Sequence, residues 1–85
     1  MSYCLYILLC KNNKLYTGIA VNPEARFLLH QSGKGAKYTQ RNKPIKVVYT
    51  EKFETRPEAL KREIEIKKLS KDKKEKLING TIGAK

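Results

Sequence analysis

Two apolar, β-rich runs separated by a short polar break open the chain. The runs are Tyr3–Cys10 and residues 15–21, and the break between them contains Asn12 and Asn13. Asparagine tolerates the positive φ that tight hairpin turns require. The pattern therefore predicts an antiparallel β-hairpin as the first unit of the fold.

The segment after the hairpin carries the start and stop signals of a helix. Asn22 is a suitable N-cap, Pro23 follows it at the first helical position, and Gly33 offers a stop. These signals predict a helix over residues 23–32. The apolar residues that share one face of this helix are Ala25, Leu28 and Leu29.

The second half of the chain predicts one strand and two helices. Residues 33–44 are basic and contain glycine, which is typical of a loop, and the apolar centre of residues 45–53 predicts a strand. Thr55, three residues before Glu58, forms a capping box that begins a helix, and Gly80 ends a last short helix. The predicted order is β-β-α-β-α-α, over residues 3–10, 15–21, 23–32, 45–53, 57–69 and 70–78.

The first of these two helices places a carboxylate on its apolar side. At about 100° per residue, it presents an apolar arc made of Ala59, Leu60, Ile64 and Ile66. Glu63 falls inside that arc, and a carboxylate there must be paired, protonated or bound to a metal. The structural interpretation is an ion pair with Lys67, one turn further on. The functional interpretation is a metal-binding carboxylate at the margin of a cleft.

The helix over residues 23–32 shows a second unusual pair. Arg26 and His30 are four positions apart, on the flank of its apolar face. Two neighbouring cationic or proton-exchanging groups gain nothing from each other, but they could share an anion. Arginine holds a phosphate through two donors, and histidine offers a titrating nitrogen. A purely structural histidine is the alternative.

The net charge of the chain is +11, from 19 Lys and Arg against 8 Asp and Glu. The first fifty residues carry eight of these bases and a single acid, Glu24. This uncompensated half indicates a polyanionic partner, with nucleic acid first and an acidic membrane surface second. Solubility alone is the third interpretation.

The length of the chain limits what it can hold. A domain of 85 residues buries only about 60–65% of its unfolded surface, so it has one small core. It has no room for an independent cofactor domain, which excludes large cofactor-dependent enzymes. We expect one domain over residues 1–80, followed by a short tail over residues 81–85.

The cysteines and the apolar runs bear on the compartment. Cys4 and Cys10 would lie about 20 Å apart in one strand, too far for a disulfide. They are typical of a reduced, cytoplasmic protein. The run Tyr3–Cys10 is too short to span a bilayer and lacks the flanks of a signal peptide. We therefore expect a cytoplasmic protein with no membrane partner.

Several common catalytic motifs are absent. The sequence contains no HExxH, CxxC or GxSxG motif, and the residues around Gly35 do not form a nucleotide P-loop. Zinc sites built from His and Cys clusters and serine triads are therefore not indicated.

An ordered set of aromatic, basic and acidic residues does run along the chain: Tyr6, Tyr16, Gly18, Arg26, His30 and Glu63. This combination resembles the GIY-YIG nuclease family, in particular its small, single-domain bacterial members. The first family motif corresponds to residues 4–6, where only the tyrosine is kept. The second corresponds to residues 16–18, where Thr17 replaces the central isoleucine. The resemblance covers residues 3–78.

The resemblance implies an α+β fold of three antiparallel strands flanked by helices, and hydrolysis of phosphodiester bonds with one Mg²⁺ or Mn²⁺. Glu63 would hold the cation and Arg26 would neutralise charge on the phosphate. Tyr16 would be the general base toward an attacking water, and Tyr6 and His30 would position water or phosphate. The residues expected to contact DNA are Gly18, Lys34, Lys37, Arg41 and Lys67.

The expected function is that of a structure-selective endonuclease with DNA as its substrate. We expect the free chain to be a monomer. A non-catalytic nucleic-acid-binding module on the same fold and an adaptor for an acidic protein are the competing interpretations. An asparagine is common downstream in the family, and Asn79 is the only candidate for it here.

The hairpin register tests whether both tyrosines serve one site. A two-residue turn at Asn12 and Asn13 would pair Tyr6 with Ile19 and would place Tyr6 and Tyr16 on opposite faces of the sheet. A shared site requires a loop with an odd number of residues, or a bulge. We predict one of these two devices.

Overall fold

Three strands form one antiparallel sheet in the computed structural model, which describes residues 2–83, with side chains over residues 2–80. Strand β1 (Tyr3–Cys10) is central, between β2 (Lys14–Ala20) and β3 (Pro44–Phe53). The sheet order is therefore β2-β1-β3, and β2 is a free edge. The α+β class and the three-stranded antiparallel sheet are confirmed.

The helices follow the predicted order, with one addition. They are α1 (Pro23–Gln31), α2 (Lys37–Arg41), α3 (Arg56–Lys67) and α4 (Lys71–Gly83). The short helix α2 lies inside the stretch predicted as a loop. Gly80 lies within α4 and does not end it. Residues 84 and 85, at the end of the predicted tail, lie outside the described residues.

The hairpin turn has three residues, Lys11–Asn13, and so confirms the predicted odd loop. Asn12 and Asn13 both adopt positive φ, 62° and 58°, which asparagine tolerates better than most residues. The resulting register pairs Tyr6 with Gly18, and Leu8 with Tyr16. Because side chains alternate across a strand, Tyr6 and Tyr16 project from the same face of the sheet.

Each face of the sheet carries its own hydrophobic cluster. On one face Leu5, Ile7 and Tyr49 pack with Ile66 of α3, and Leu77 and Ile78 of α4 lie against them. The other face carries Tyr6, Leu8, Cys10 and Ala20, with Phe27 of α1 packed against them. The two tyrosines of the predicted site therefore belong to the face that α1 covers.

Helix α1 does not bury the face that was predicted from its leucines, Leu28 and Leu29. Leu28 is 62% exposed and Leu29 is 37% exposed, whereas Phe27 packs against the sheet and His30 is 3% exposed. Burying the aromatic ring, together with the hydrogen bonds of His30, outweighs burying the leucines. Ile64 of α3 is likewise 54% exposed, although Ala59 and Ile66 are fully buried as predicted.

Helix α3 begins with a local cap and is fixed to the sheet at its middle. The predicted capping box is present, since Thr55 and Glu58 exchange hydrogen bonds with each other's backbone amides. Arg62 then donates to both carboxylate oxygens of Glu51 on β3, at 3.0 and 3.1 Å. A bidentate pair of this kind fixes orientation as well as distance.

The remaining expectations about the chain concern its cysteines and the membrane. Cys4 and Cys10 are both free thiols, as predicted. No helix within the described residues is both long and apolar enough to cross a membrane.

Candidate active site

A cleft of about 350 Å³ lies beside the edge strand β2, between α1 and α3. The five residues predicted to be catalytic all line it: Tyr6, Tyr16, Arg26, His30 and Glu63. They come from β1, β2, α1 and α3, and the first and last of them are 57 positions apart in the sequence. Gly18 and Lys34, predicted to contact DNA, line the same cleft.

The two tyrosine rings meet above a glycine. The ring centroids of Tyr6 and Tyr16 are 6.4 Å apart. A Cβ on Gly18 would lie 2.7 Å from the Tyr6 hydroxyl oxygen and 3.2 Å from Cε2 of Tyr16. Only glycine leaves room for both rings at this point of β2, which explains the glycine of the second motif in steric terms.

His30 is held on both sides of its ring. Its Nε2 lies 3.0 Å from the Tyr6 hydroxyl, and its Nδ1 lies 2.8 Å from Oγ1 of Thr39. The Thr39 hydroxyl donates to the carbonyl oxygen of Ala36 at 2.8 Å, so it accepts from Nδ1–H. That assignment makes Nε2 the acceptor of the Tyr6 proton. A backbone contact from Ala36 N–H to Nδ1 is longer, at 3.4 Å, and would need the other tautomer.

Gly35 allows the loop to pass directly over His30. A Cβ on Gly35 would overlap the imidazole ring, with Cε1 and Cγ of His30 both 2.7 Å away. The glycine in the basic loop is therefore explained by its contact with the histidine. The sequence does not reveal this role of Gly35, because the composition of the loop does not indicate how close Gly35 lies to α1.

Burial and charge keep the Tyr6 and His30 pair neutral near pH 7. Burial, reinforced by Tyr16 and Glu63, raises the pKa of Tyr6 to about 12, while Arg26 opposes the rise. Burial, assisted by the positive charge of Arg26, lowers the pKa of His30 below its usual 6.5. Tyr6 therefore holds its proton and donates it to a neutral imidazole.

Glu63 lies in the cleft wall and is also paired with a lysine. Its side chain is only 17% exposed, and its carboxylate lies 3.4 Å from Nζ of Lys67, as the ion-pair interpretation predicted. It also lines the cleft with Tyr6 and Arg26, which is the position at the margin of a cleft that the functional interpretation requires; its role as a metal ligand stays a prediction. Lys67 is 53% exposed and lies outside the cleft lining, so the pair reaches the cleft only through its acidic member.

The carboxylate of Glu63 fits a hard divalent cation whose remaining coordination positions are filled by other ligands. Among the described residues no three His, Cys, Asp or Glu side chains are grouped closely enough to hold a metal. Zinc-type sites are therefore not formed by this part of the chain. Mg²⁺ keeps several waters and is held by one or two carboxylates plus substrate phosphates, a pattern that one partly buried glutamate satisfies.

The rim of the cleft is basic. Arg26, Lys34 and Arg56 line it, and none of the three forms an ion pair within the described residues. Arg56 was not predicted, although it lies one helical turn before Leu60 and two turns before Glu63 on the same side of α3. Thr39 was also missed, because nothing in the sequence places it against His30.

Three of the other expected residues lie elsewhere. Lys37 and Arg41 are exposed on α2, outside the cleft lining. Asn79 borders a different groove of about 610 Å³, between α4 and the end of the hairpin, with Leu9 and Glu75. The structure therefore does not bring the candidate downstream asparagine to the cleft.

The chain is similar to a known protein family and to several small proteins. The GIY-YIG catalytic domain model matches residues 2–76. A UPF0213 protein of Staphylococcus saprophyticus is 52% identical over 75 residues, which cover 88% of this chain and 92% of the relative. The solution NMR structure of a UPF0213 protein from Bacillus halodurans is 43% identical, with a TM-score of 0.60, covering 93% of this chain and 84% of that one.

A second solution NMR structure, of a protein from E. faecalis, is 42% identical with a TM-score of 0.62. It covers 96% of this chain and 88% of that chain. The family model spans every residue that lines the cleft, and the relatives have a similar single-domain length. The chain belongs to the GIY-YIG nuclease family, as a small member similar to the UPF0213 proteins.

Proposed function

We propose that the chain is a divalent-cation-dependent endonuclease that hydrolyses phosphodiester bonds in DNA and selects its substrate by structure. The observation that carries the proposal is the convergence of Tyr6, Tyr16, Arg26, His30 and Glu63 in one cleft with a basic rim. Membership of a nuclease family supports the reaction class. The substrate, the cation and the residue roles are our own proposals.

The basic rim binds the scissile phosphate. Arg26 lies on the α1 side of the cleft and Arg56 on the α3 side, with Lys34 on the loop between α1 and α2. Guanidinium groups offer paired donors to phosphate oxygens. Because neither arginine has an acidic partner in the described chain, both are free to neutralise the charge that grows on the phosphate during attack.

The two tyrosines have different roles. The Tyr6 hydroxyl is already engaged with His30, so Tyr6 positions a water or a phosphate oxygen and keeps its proton. The Tyr16 hydroxyl has no hydrogen-bond partner among the described residues, and it borders the cleft. Tyr16 is therefore the group that takes the proton from the attacking water. In this step the phenolate form of Tyr16 accepts the proton and becomes the phenol, and Arg26 lines the same cleft.

Glu63 holds the divalent cation, Mg²⁺ or Mn²⁺, which when bound polarises the scissile phosphate and stabilises the leaving oxygen. The chain's part is to present this single carboxylate at the wall of the cleft with little exposure. Lys67 orients the carboxylate through their ion pair.

Selection by structure follows from the small size of the module. The cleft offers one phosphate site, and a domain of 85 residues makes few contacts with base edges. Phosphate contacts fix position on the nucleic acid and carry no sequence information. Shape and the accessibility of the backbone are what remain for discrimination.

One observation favours the non-catalytic alternative, a nucleic-acid-binding module. Glu63 already has a cationic partner in Lys67, so its burial is accounted for without a metal. Under this alternative the basic rim binds nucleic acid, and the cleft residues are only structural elements.

A cleavage assay separates the two functions. The purified full chain is incubated with single-stranded, duplex, nicked and branched DNA and with matched RNA, in Mg²⁺, in Mn²⁺ and in EDTA. The nuclease proposal expects products on at least one DNA substrate only when a cation is present. Binding without product on every substrate, in either cation, would support the module and refute the nuclease.

A further inference from the structure

Tyr38 lies on the surface of α2 and extends the aromatic group of the cleft outwards. Its side chain is 40% exposed, the highest exposure of a tyrosine among the described residues. Its ring centroid lies 5.9 Å from that of Tyr16, with 33° between the ring planes. Tyr16 in turn lies 5.1 Å from His30. The rings thus run continuously from the buried histidine to solvent.

A second, smaller groove begins where this aromatic row ends. The groove has a volume of about 140 Å³, and Tyr38 lines it with Lys14, Lys71 and Lys74. No acidic residue lines it, and none of the three lysines forms an ion pair within the described residues. Lys14 and Tyr16 are two positions apart on β2, so they share a face of the edge strand. The Tyr16 and Tyr38 rings therefore connect this smaller groove to the cleft.

We propose that Tyr38 is a stacking platform for an unpaired base beside the scissile phosphate, and that Lys14, Lys71 and Lys74 hold the backbone of the same strand. The substrate class that this arrangement selects is single-stranded DNA, or a branched DNA with a single-stranded arm, ahead of continuous duplex. The inference rests on the proposed function, because it places the strand in the cleft of that site.

The chemistry of the two surfaces supports this occupant. An exposed aromatic ring flanked by unpaired lysines combines a face for base stacking with charge that follows a phosphate backbone, as in single-strand-binding grooves. The bases of a duplex are stacked on each other and cannot lie flat on a side chain. An extended acidic peptide would meet the lysines but would gain nothing specific from a planar ring.

Affinity for single-stranded and duplex probes tests the platform. The full chain is titrated, in EDTA to prevent cleavage, against a dye-labelled single-stranded oligonucleotide and a hairpin duplex of the same composition. Stacking of one base is worth 1–3 kcal/mol, so Tyr38→Ala should weaken single-strand binding by about 5- to 150-fold. The duplex should lose clearly less, so the ratio of the two affinities falls.

Two further substitutions distinguish stacking from a general effect on α2. Tyr38→Phe keeps the ring and should retain the single-strand preference, whereas Tyr38→Leu keeps an apolar side chain of similar reach and should lose it. The chain contains no tryptophan, so Tyr38→Trp introduces a single tryptophan at the platform, which can be excited selectively over the tyrosines. Single-stranded probe should quench its fluorescence more strongly than duplex does.

The outcomes separate this inference from the proposed function. Equal losses for both probes in Tyr38→Ala, or parental affinity in Tyr38→Leu, would overturn the platform while the nuclease proposal stands. Failure of the parental chain to bind any probe at low salt would refute both. A reduced ratio in Tyr38→Ala that Tyr38→Phe restores would support the platform even if no cleavage is observed.

Discussion

The Tyr6 hydroxyl donates a hydrogen bond to Nε2 of His30 over 3.0 Å, although the two residues are 24 positions apart. This bond joins the central strand to α1 at the wall of the cleft. It depends on two glycines, because a Cβ on Gly18 would meet the tyrosine ring and a Cβ on Gly35 would meet the histidine ring. This buried polar contact is therefore part of the framework of the site, and substitutions around it should affect stability and activity in separable ways.

The two cleft tyrosines should respond differently to loss of their hydroxyl groups. Tyr6→Phe leaves Nε2 of the buried His30 without its donor, which should cost about 1–2 kcal/mol of unfolding free energy. Tyr16→Phe breaks no intramolecular hydrogen bond of the described residues and should unfold like the parental chain. Urea unfolding of both variants measures this difference.

The cleavage rate should depend on the Tyr16 hydroxyl, although the stability does not. Tyr16→Phe should lose at least about 100-fold in cleavage rate, the usual contribution of a general base. Substrate affinity should change little. If Tyr16→Phe cleaved at the parental rate, Tyr16 could not be the base.

Gly35→Ala should be strongly destabilising, because the added methyl group overlaps the His30 ring and either the loop or the ring must move. We expect a loss of about 2–3 kcal/mol, in the range of overpacking substitutions, with a melting temperature lower by roughly 10 °C or more.

Gly80→Ala is the matched control for that substitution. Gly80 lies within α4, where a Cβ would meet nothing within 4 Å. Alanine there should stabilise the helix by about 0.5–1 kcal/mol. A Gly35→Ala protein as stable as Gly80→Ala would mean that the loop does not rest on the histidine.

The stability of the chain should fall on mild acidification through His30. The pKa of His30 is lower in the folded state than its ordinary 6.5, so protons bind the unfolded state more tightly. Its contribution is therefore complete above about pH 6.5 and decreases as the pH falls below that value. Denaturation midpoints measured across this range should show the decrease in the parental chain, and a smaller one in His30→Gln.

Tyr6 should produce the corresponding effect at alkaline pH. Its pKa is raised to about 12 in the folded state, against about 10 in an unfolded chain. The stability that it contributes is complete below pH 10 and is lost as the pH rises towards 12. Tyr6→Phe should lack this alkaline loss, and an identical alkaline profile in both proteins would contradict the assigned burial of the phenol.

Arg56 should contribute to phosphate binding although it stands in no family motif. Arg56→Ala should weaken binding of all nucleic acids and reduce the slope of log affinity against log salt by about 0.7–0.9. Lys61→Ala is the matched control, because Lys61 lies on the side of α3 away from Glu63. Equal salt slopes in the two variants would show that Arg56 contacts no phosphate.

The shared face of Tyr6 and Tyr16 could be predicted because strands alternate with a period of two. Only the number of residues in the hairpin turn was undecided. The assumption that both tyrosines serve one site required that number to be odd. The capping box at Thr55 and the inward position of Glu63 were also accessible, since both depend on spacing within a single helix. The position of Arg56 on the same side of α3 as Glu63 follows from the same helical periodicity.

The remaining features depend on contacts that are distant in sequence. The N-cap residue of α2, Ala36, makes no side-chain cap bond, so no local signal marks this helix, and it is held in part by Thr39 against His30. Periodicity grouped Leu28 and Leu29 on one face of α1 but did not determine which face meets the sheet. That choice is made by His30 and Phe27, through partners on other elements.

Replacing the Glu63 carboxylate is the most direct test of cation-dependent cleavage. Cleavage and binding are measured side by side for the parental chain, for Glu63→Gln and for Glu65→Gln, an exposed glutamate two residues away that pairs with Arg62. The account predicts Mg²⁺-dependent products from the parental chain and Glu65→Gln. Glu63→Gln should give none, while its affinity for DNA in EDTA stays within about threefold of the parental value, a difference of under 1 kcal/mol. Parental cleavage by Glu63→Gln would contradict the account.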